Sequence, residues 1–259
     1  MSARNCLILG SGRSGTSMLA GTLSQSGYHM GEHLIPADRA NPKGYFEDDE
    51  INAINEELLT PITPALTRPA YGWRWLATVP LGTPIPSSPS LSERIAVQAA
   101  RSPFCFKDPR FCYTLPAWRP FLKDTVFLCI FREPERTAHS IVKECQCADY
   151  LEGLPMTFAK AVQVWALMYR HILEVHRHAG EWLFFHYDQL FHDATLSRVE
   201  GVLGVSVDRQ FPEEKLKRSP TGGRVRADVR AIYGQLCKIA GYRPQKGARS
   251  GAPQVRTAT

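Results

Sequence analysis

Residues 6–17 read Cys-Leu-Ile-Leu-Gly-Ser-Gly-Arg-Ser-Gly-Thr-Ser. An apolar run, a glycine-rich turn and a helix start follow one another. That order offers backbone N–H donors at a helix N-terminus, which is chemistry for holding an anion. Arg13 is the one cation in the loop. A second candidate anion site lies far along the chain. Arg132 leaves the apolar run 125–131, and Ser140 follows eight residues later. That spacing places Ser140 about two turns into a following helix. The arginine would supply a charged fork and the serine a hydroxyl donor to one phosphate. Taken alone, the pair reads first as a strand-end salt bridge and a helix-surface serine, and only second as a phosphate clasp.

These residues need strands that end beside one another. The periodicity predicts strands at 5–9, 104–106, 125–131 and 182–187. Helices are predicted at 15–26, 48–59, 92–100, 134–147, 156–179, 195–203 and 225–240. Alternating strands and helices imply an α/β fold: a central parallel sheet flanked by helices, a three-layer sandwich of the P-loop NTPase type. In such sheets, ligands bind at the carboxyl ends of the strands. Residues 1–242 read as one domain. Within it, 60–91 holds seven of the 19 prolines with Tyr71, Trp73 and Trp75. This stretch reads as an insertion or lid, its aromatics available to stack on a sugar or an aromatic ring. Residues 243–259 carry four cations and no acid, and are expected to be a disordered basic tail. Without them the net charge of +6 falls to +2, which argues against nucleic-acid binding.

No apolar stretch reaches the roughly 20 residues of a membrane span, and a strand begins within a few residues of the start. A cytoplasmic protein is expected. The seven cysteines read as reduced thiols, and Cys145-x-Cys147 lacks the second pair of a zinc site. His171, His176 and His178 do not share one helix face and are expected to be solvated. Met156, Phe158, Val162, Trp165, Leu167 and Met168 are expected in the core.

The first loop follows G-x-x-x-x-G-K-[ST] in its glycine spacing, but Thr16 stands at the kinase lysine. Together the segments resemble the PAPS-dependent sulfotransferase family; PAPS is 3′-phosphoadenosine 5′-phosphosulfate. Arg13-Ser14-Gly15-Thr16-Ser17 is similar to the family loop that grips the 5′-phosphosulfate. Arg132-Glu133-Pro134 through Ser140 is similar to its 3′-phosphate motif. Lys107 and the corner Tyr187-Asp188-Gln189-Leu190 extend the resemblance over roughly 5–47 and 102–220. Arg13 replaces the commoner lysine, which confines it to an electrostatic role. The last basic stretch has only a loose counterpart, at Arg218 and Ser219.

The resemblance implies PAPS as co-substrate, no metal, and a hydroxyl-bearing acceptor: a small molecule, a sugar or a glycolipid. It places the cofactor on Gly12, Arg13, Ser14, Gly15, Thr16, Ser17, Arg132, Ser140, Arg218 and Ser219. In carbohydrate-type members a glutamate about 30 residues past the first loop is the base. That implies Glu47 here, with Asp48, Glu50 and His33 as alternatives. Glu47 and Asp48 also suit the start of an acidic helix. Lys107 would stabilise the leaving oxygen or orient the acceptor hydroxyl, and Arg110 could serve an anionic acceptor. Two other functions fit parts of the sequence: a P-loop kinase of a small metabolite, and a non-catalytic nucleotide-binding protein. The sequence leaves the acceptor and the oligomeric state open.

Overall fold

The computed structural model describes residues 2–38, 41–69, 71–213, 220 and 222–244. Four strands form one parallel sheet: β1 (Asn5–Leu9), β2 (Cys105–Lys107), β3 (Thr125–Phe131) and β4 (Glu181–His186), in the order β2-β1-β3-β4. Ile8 of β1 stands between Lys107 and Leu128, and Phe131 pairs with His186. Strand alternation divides the apolar side chains between two cores. Leu7, Leu9, Phe127, Cys129 and Phe131 face one core; Cys6, Ile8, Val126, Leu128 and Ile130 face the other.

On the second face lie α1 (Thr16–Leu23) and α7 (Asp193–Leu203), through Leu19, Leu23, Leu196 and Val199. On the first lie α2 (Asp49–Leu59), α3 (Pro89–Ala99), α4 (Phe111–Trp118), α5 (Pro134–Cys147), α6 (Phe158–Arg170) and α8 (Ala227–Ala240). The fold is α/β, a parallel sheet flanked by helices on both faces, as the alternation predicts. No helix among the described residues is long and apolar enough to cross a membrane.

Three elements differ from the sequence reading. α4 is missed because it contains Pro116 and is apolar nearly all round, so no periodicity marks it. The long helix at 156–179 is shorter: α6 ends at Arg170 and passes into a π-helical stretch, His171–His176. Within the stretch 60–91, residues 73–79 are largely built into the core. Trp73, Leu76 and Val79 are buried, and Trp75 lies against the first loop. Trp73 and Trp75 are therefore not free platforms for stacking; Tyr71 stays exposed.

His171 and His176 are buried rather than solvated, whereas His178 is exposed. Each buried ring donates from Nε2 to a carbonyl, of Val79 at 2.9 Å and of Cys112 at 3.0 Å. The π-helical winding turns both rings inward. Burial pushes the His176 imidazole down to about 4 and lowers His171 too. An unfolded histidine titrates near ~6.5. The unfolded chain therefore binds more protons in the window between that value and about 4. Stability present above ~6.5 is lost as the pH falls through that window. The urea midpoint of the chain should drop from pH 7 to pH 5, and His176→Gln should flatten the drop. Equal drops in the two proteins would show that His176 does not carry the effect.

Candidate functional site

The first loop is held open by backbone conformations that side chains disfavour. Gly10 (φ 149°) and Gly15 (φ 101°) lie at positive φ, and so does Arg13 (φ 69°). A Cβ on Gly10 would stand 2.3 Å from the carbonyl oxygen of Ile130. A Cβ on Gly12 would meet the Trp75 ring at 2.5 Å. Gly10 and Gly12 thus let the loop sit close on β3 and on residue 75. Tyr169 pins the loop, donating to Ile130 O (2.7 Å) and accepting from Ser11 N (3.2 Å). Ser14 is buried, its hydroxyl 3.4 Å from that of Thr137. Gly15 caps α1, whose first amides, on Thr16 and Ser17, lie at the positive end of the helix.

The two predicted anion sites stand side by side. Arg132 follows the last residue of β3. Its carbonyl accepts from Trp165 Nε1 (3.2 Å), and its guanidinium lies 4.6 Å over the Tyr187 ring. Burial lowers the Arg132 pKa from the ordinary arginine value. Ser140, two turns into α5, accepts from Arg13 Nε at 3.2 Å. Arg13, Thr16, Ser17, Arg132 and Ser140 line one cavity of about 860 Å³.

A second cavity, of about 540 Å³, lies on the other side of Arg13, Thr16 and Ser17, which line both. Lys107, the last residue of β2, is buried in its wall. Its Nζ donates to Glu47 Oε1 and to Ser17 Oγ (3.3 Å). Burial lowers the Lys107 pKa, against the opposing pull of the Glu47 carboxylate. Glu47 Oε2 accepts from Asn52 Nδ2 at 3.1 Å.

The base candidates separate cleanly. Asp48 is the N-cap of α2 and accepts from the N–H groups of His33, Glu50 and Ile51. Glu50 pairs with Arg94 at 2.7 Å. His33 is exposed and lines neither cavity. Glu47 lines the second cavity beside Lys107. Arg110 also lines it, but its guanidinium is held by Glu56 (2.8 Å) and Asp108 (3.1 Å). The site thus gathers Gly12, Arg13, Ser14, Gly15, Thr16, Ser17, Arg132, Ser140, Lys107 and Glu47. Arg218 and Ser219 lie outside the described residues, as do residues 245–259 of the predicted tail.

Glu144 was not picked out from the sequence. It is buried, lines both cavities and lies 3.6 Å from Arg13. Its place four residues after Ser140, on the same helix face, is the signal that could have found it. Among the described residues, one trio has metal-ligand types at close range: Glu133, His186 and Asp188. His186 Nδ1 already accepts from Asp188 N (3.1 Å), and Nε2 lies 3.2 Å from Tyr233 Oη. The His186 ring also stacks on Tyr242.

Solved sulfotransferase structures share this architecture. The sulfotransferase domain from the Synechococcus PCC 7002 olefin synthase superposes with a TM-score of 0.51 at 16% identity, over 93% of this chain and 95% of that one. The sulfotransferase domain from the curacin biosynthetic pathway gives 0.51 at 14% identity, over 93% and 99%. A sulfotransferase from Alicyclobacillus acidocaldarius gives 0.50 at 15% identity, over 94% and 98%. At these identities the likeness is one of fold. No protein-family model matches the chain, and no curated protein does.

Proposed function

We propose that this chain transfers a sulfuryl group from PAPS to the hydroxyl of a small acceptor. The observation that carries the reading is the meeting of two cavities at Arg13, Thr16 and Ser17. One cavity holds the two anion sites; the other holds the buried Lys107–Glu47 pair. A cleft of about 860 Å³ is in the size range of nucleotide sites. Its donor set is one for anions: helix-start amides, two arginines and a serine.

In this reading the amides of Thr16 and Ser17 and the Arg13 guanidinium hold the 5′-phosphosulfate. Arg132 and Ser140 hold the 3′-phosphate. PAPS supplies the activated sulfuryl group. Glu47 takes the proton from the acceptor hydroxyl as that oxygen attacks sulfur in line. Lys107, one hydrogen bond from both Glu47 and Ser17, sits where charge grows on the leaving oxygen. The roles need no metal. The kinase reading is disfavoured by Thr16 at the lysine position of the loop.

Adenosine 3′,5′-bisphosphate should raise the melting temperature without added metal. Stabilisation by ATP·Mg²⁺ alone would overturn the assignment. Arg132→Ala should remove charge-assisted hydrogen bonds to the 3′-phosphate. The preference for adenosine 3′,5′-bisphosphate over AMP should then fall about 10- to 100-fold. An unchanged preference in a titration of the variant would misplace the second anion site.

A further inference from the structure

The second cavity limits which acceptors can enter. We propose that the acceptor is a non-anionic phenol or aryl alcohol, neutral or carrying a cation, and not a sugar. The inference rests on the sulfuryl-transfer reading for its chemistry, but its physical basis is the cavity wall.

Charge comes first. Three cations line the cavity, and each already has a carboxylate: Arg13 has Glu144 at 3.6 Å, Lys107 has Glu47, and Arg110 has Glu56 at 2.8 Å and Asp108 at 3.1 Å. Arg13 also faces the first cavity. Asp38 and Glu144 line both cavities, so the carboxylates particular to this one are Glu47 and Asp49. Lys107 and Arg110 line this cavity and not the first, and an anionic acceptor would have to break one of their pairs. A neutral or cationic acceptor does not.

Shape and polarity come next. Tyr45, Tyr71, Trp75 and Tyr150 enter the wall from different segments. Tyr71 and Tyr150 are 58% and 44% exposed, rare values for aromatics on this molecule, and both stand at this cavity. Their faces suit a flat ring, and their quadrupoles favour a cation over an anion. A sugar presents hydroxyls around its whole edge and needs many polar partners. Several of the polar groups in this wall are already engaged: Tyr45 Oη with Asp38, Lys107 with Glu47, and Arg110 with Glu56 and Asp108. Asn52 Nδ2 donates to Glu47 Oε2 at 3.1 Å, and its Oδ1 is buried.

The test uses four probes on the full chain saturated with adenosine 3′,5′-bisphosphate. Tyramine, tyrosol and 4-hydroxyphenylacetate share a phenol and differ in charge at the far end; N-acetylglucosamine is the sugar. Binding is read by calorimetry. Tyramine and tyrosol should each bind at least fivefold more tightly than the other two. Tyr71→Ala should weaken both at least threefold and leave nucleotide affinity unchanged. Discrimination below fivefold, tightest binding by 4-hydroxyphenylacetate or the sugar, binding by no probe, or insensitivity to Tyr71→Ala would each overturn the inference. Failure of the nucleotide to bind would instead overturn the sulfuryl-transfer reading. The same probe order, measured without nucleotide, would still decide the character of the cavity.

Discussion

Glu47→Gln should lower turnover by roughly 10²–10⁴-fold, the range for loss of a positioned general base, while adenosine 3′,5′-bisphosphate should still stabilise the variant. The expectation follows from where Glu47 sits. One carboxylate oxygen takes the Lys107 amine and the other the Asn52 amide. Each oxygen has a further lone pair, so the group can still accept a hydroxyl proton. Glutamine keeps the shape and loses that capacity. It also leaves Lys107 without its ionic partner, so loss of activity alone does not assign the base. A further variant separates the roles: Glu47→Asp, which keeps a carboxylate, should retain more activity than the glutamine variant. A turnover loss under threefold would remove Glu47 from the chemistry and leave the nucleotide site untouched.

The residues of both proposed anion sites were legible because each set is a local pattern. A glycine-rich turn after an apolar strand, and an arginine at a strand exit with a serine two turns on, can be read without knowing what lies opposite. The parallel sheet was legible for a similar reason: strands buried on both faces are continuous apolar runs. What could not be read was pairing across the chain. Glu47 stood equally as base and as helix cap until Asp48 proved to be the cap, with its carboxylate on three backbone N–H groups. Lys107 could have paired with Asp108 next to it. It pairs instead with Glu47, 60 residues away, while Asp108 faces Arg110. Trp73 and Trp75 looked like ligand platforms because a proline-rich stretch hides any periodicity. Their burial depends on the first loop and α2, which no local pattern reports. His171 and His176 misled for the reverse reason: their spacing is solvent-like on an α-helix, but their winding is not α-helical.

Glu56→Ala should be among the most destabilising single substitutions in this chain, costing about 3–5 kcal/mol in chemical unfolding. Glu56 is almost fully buried, and its two oxygens hold two buried arginines. Oε1 accepts from Arg74 at 2.8 Å and Oε2 from Arg110 at 2.8 Å. Arg110 would keep Asp108, but Arg74 would keep its hydrogen bond to Thr63 and its place over the Trp73 ring, with no carboxylate among the contacts described. A buried guanidinium without its carboxylate is the costly half of a broken pair. Against a typical total stability of about 5–15 kcal/mol, the loss is a large fraction. Its reach extends to the second cavity. Arg110 Nη2 donates to the carbonyl of Gly72 at 2.9 Å, beside Tyr71. Glu56→Gln keeps one acceptor oxygen and the side-chain volume, and should cost less than alanine. The comparison distinguishes charge from packing: equal losses would mean that the carboxylate charge carries the whole effect, and a negligible loss for glutamine would mean that volume and one hydrogen bond suffice. A loss below 1 kcal/mol for alanine would show that the arginines find other partners. The second cavity would then not depend on this network for its shape.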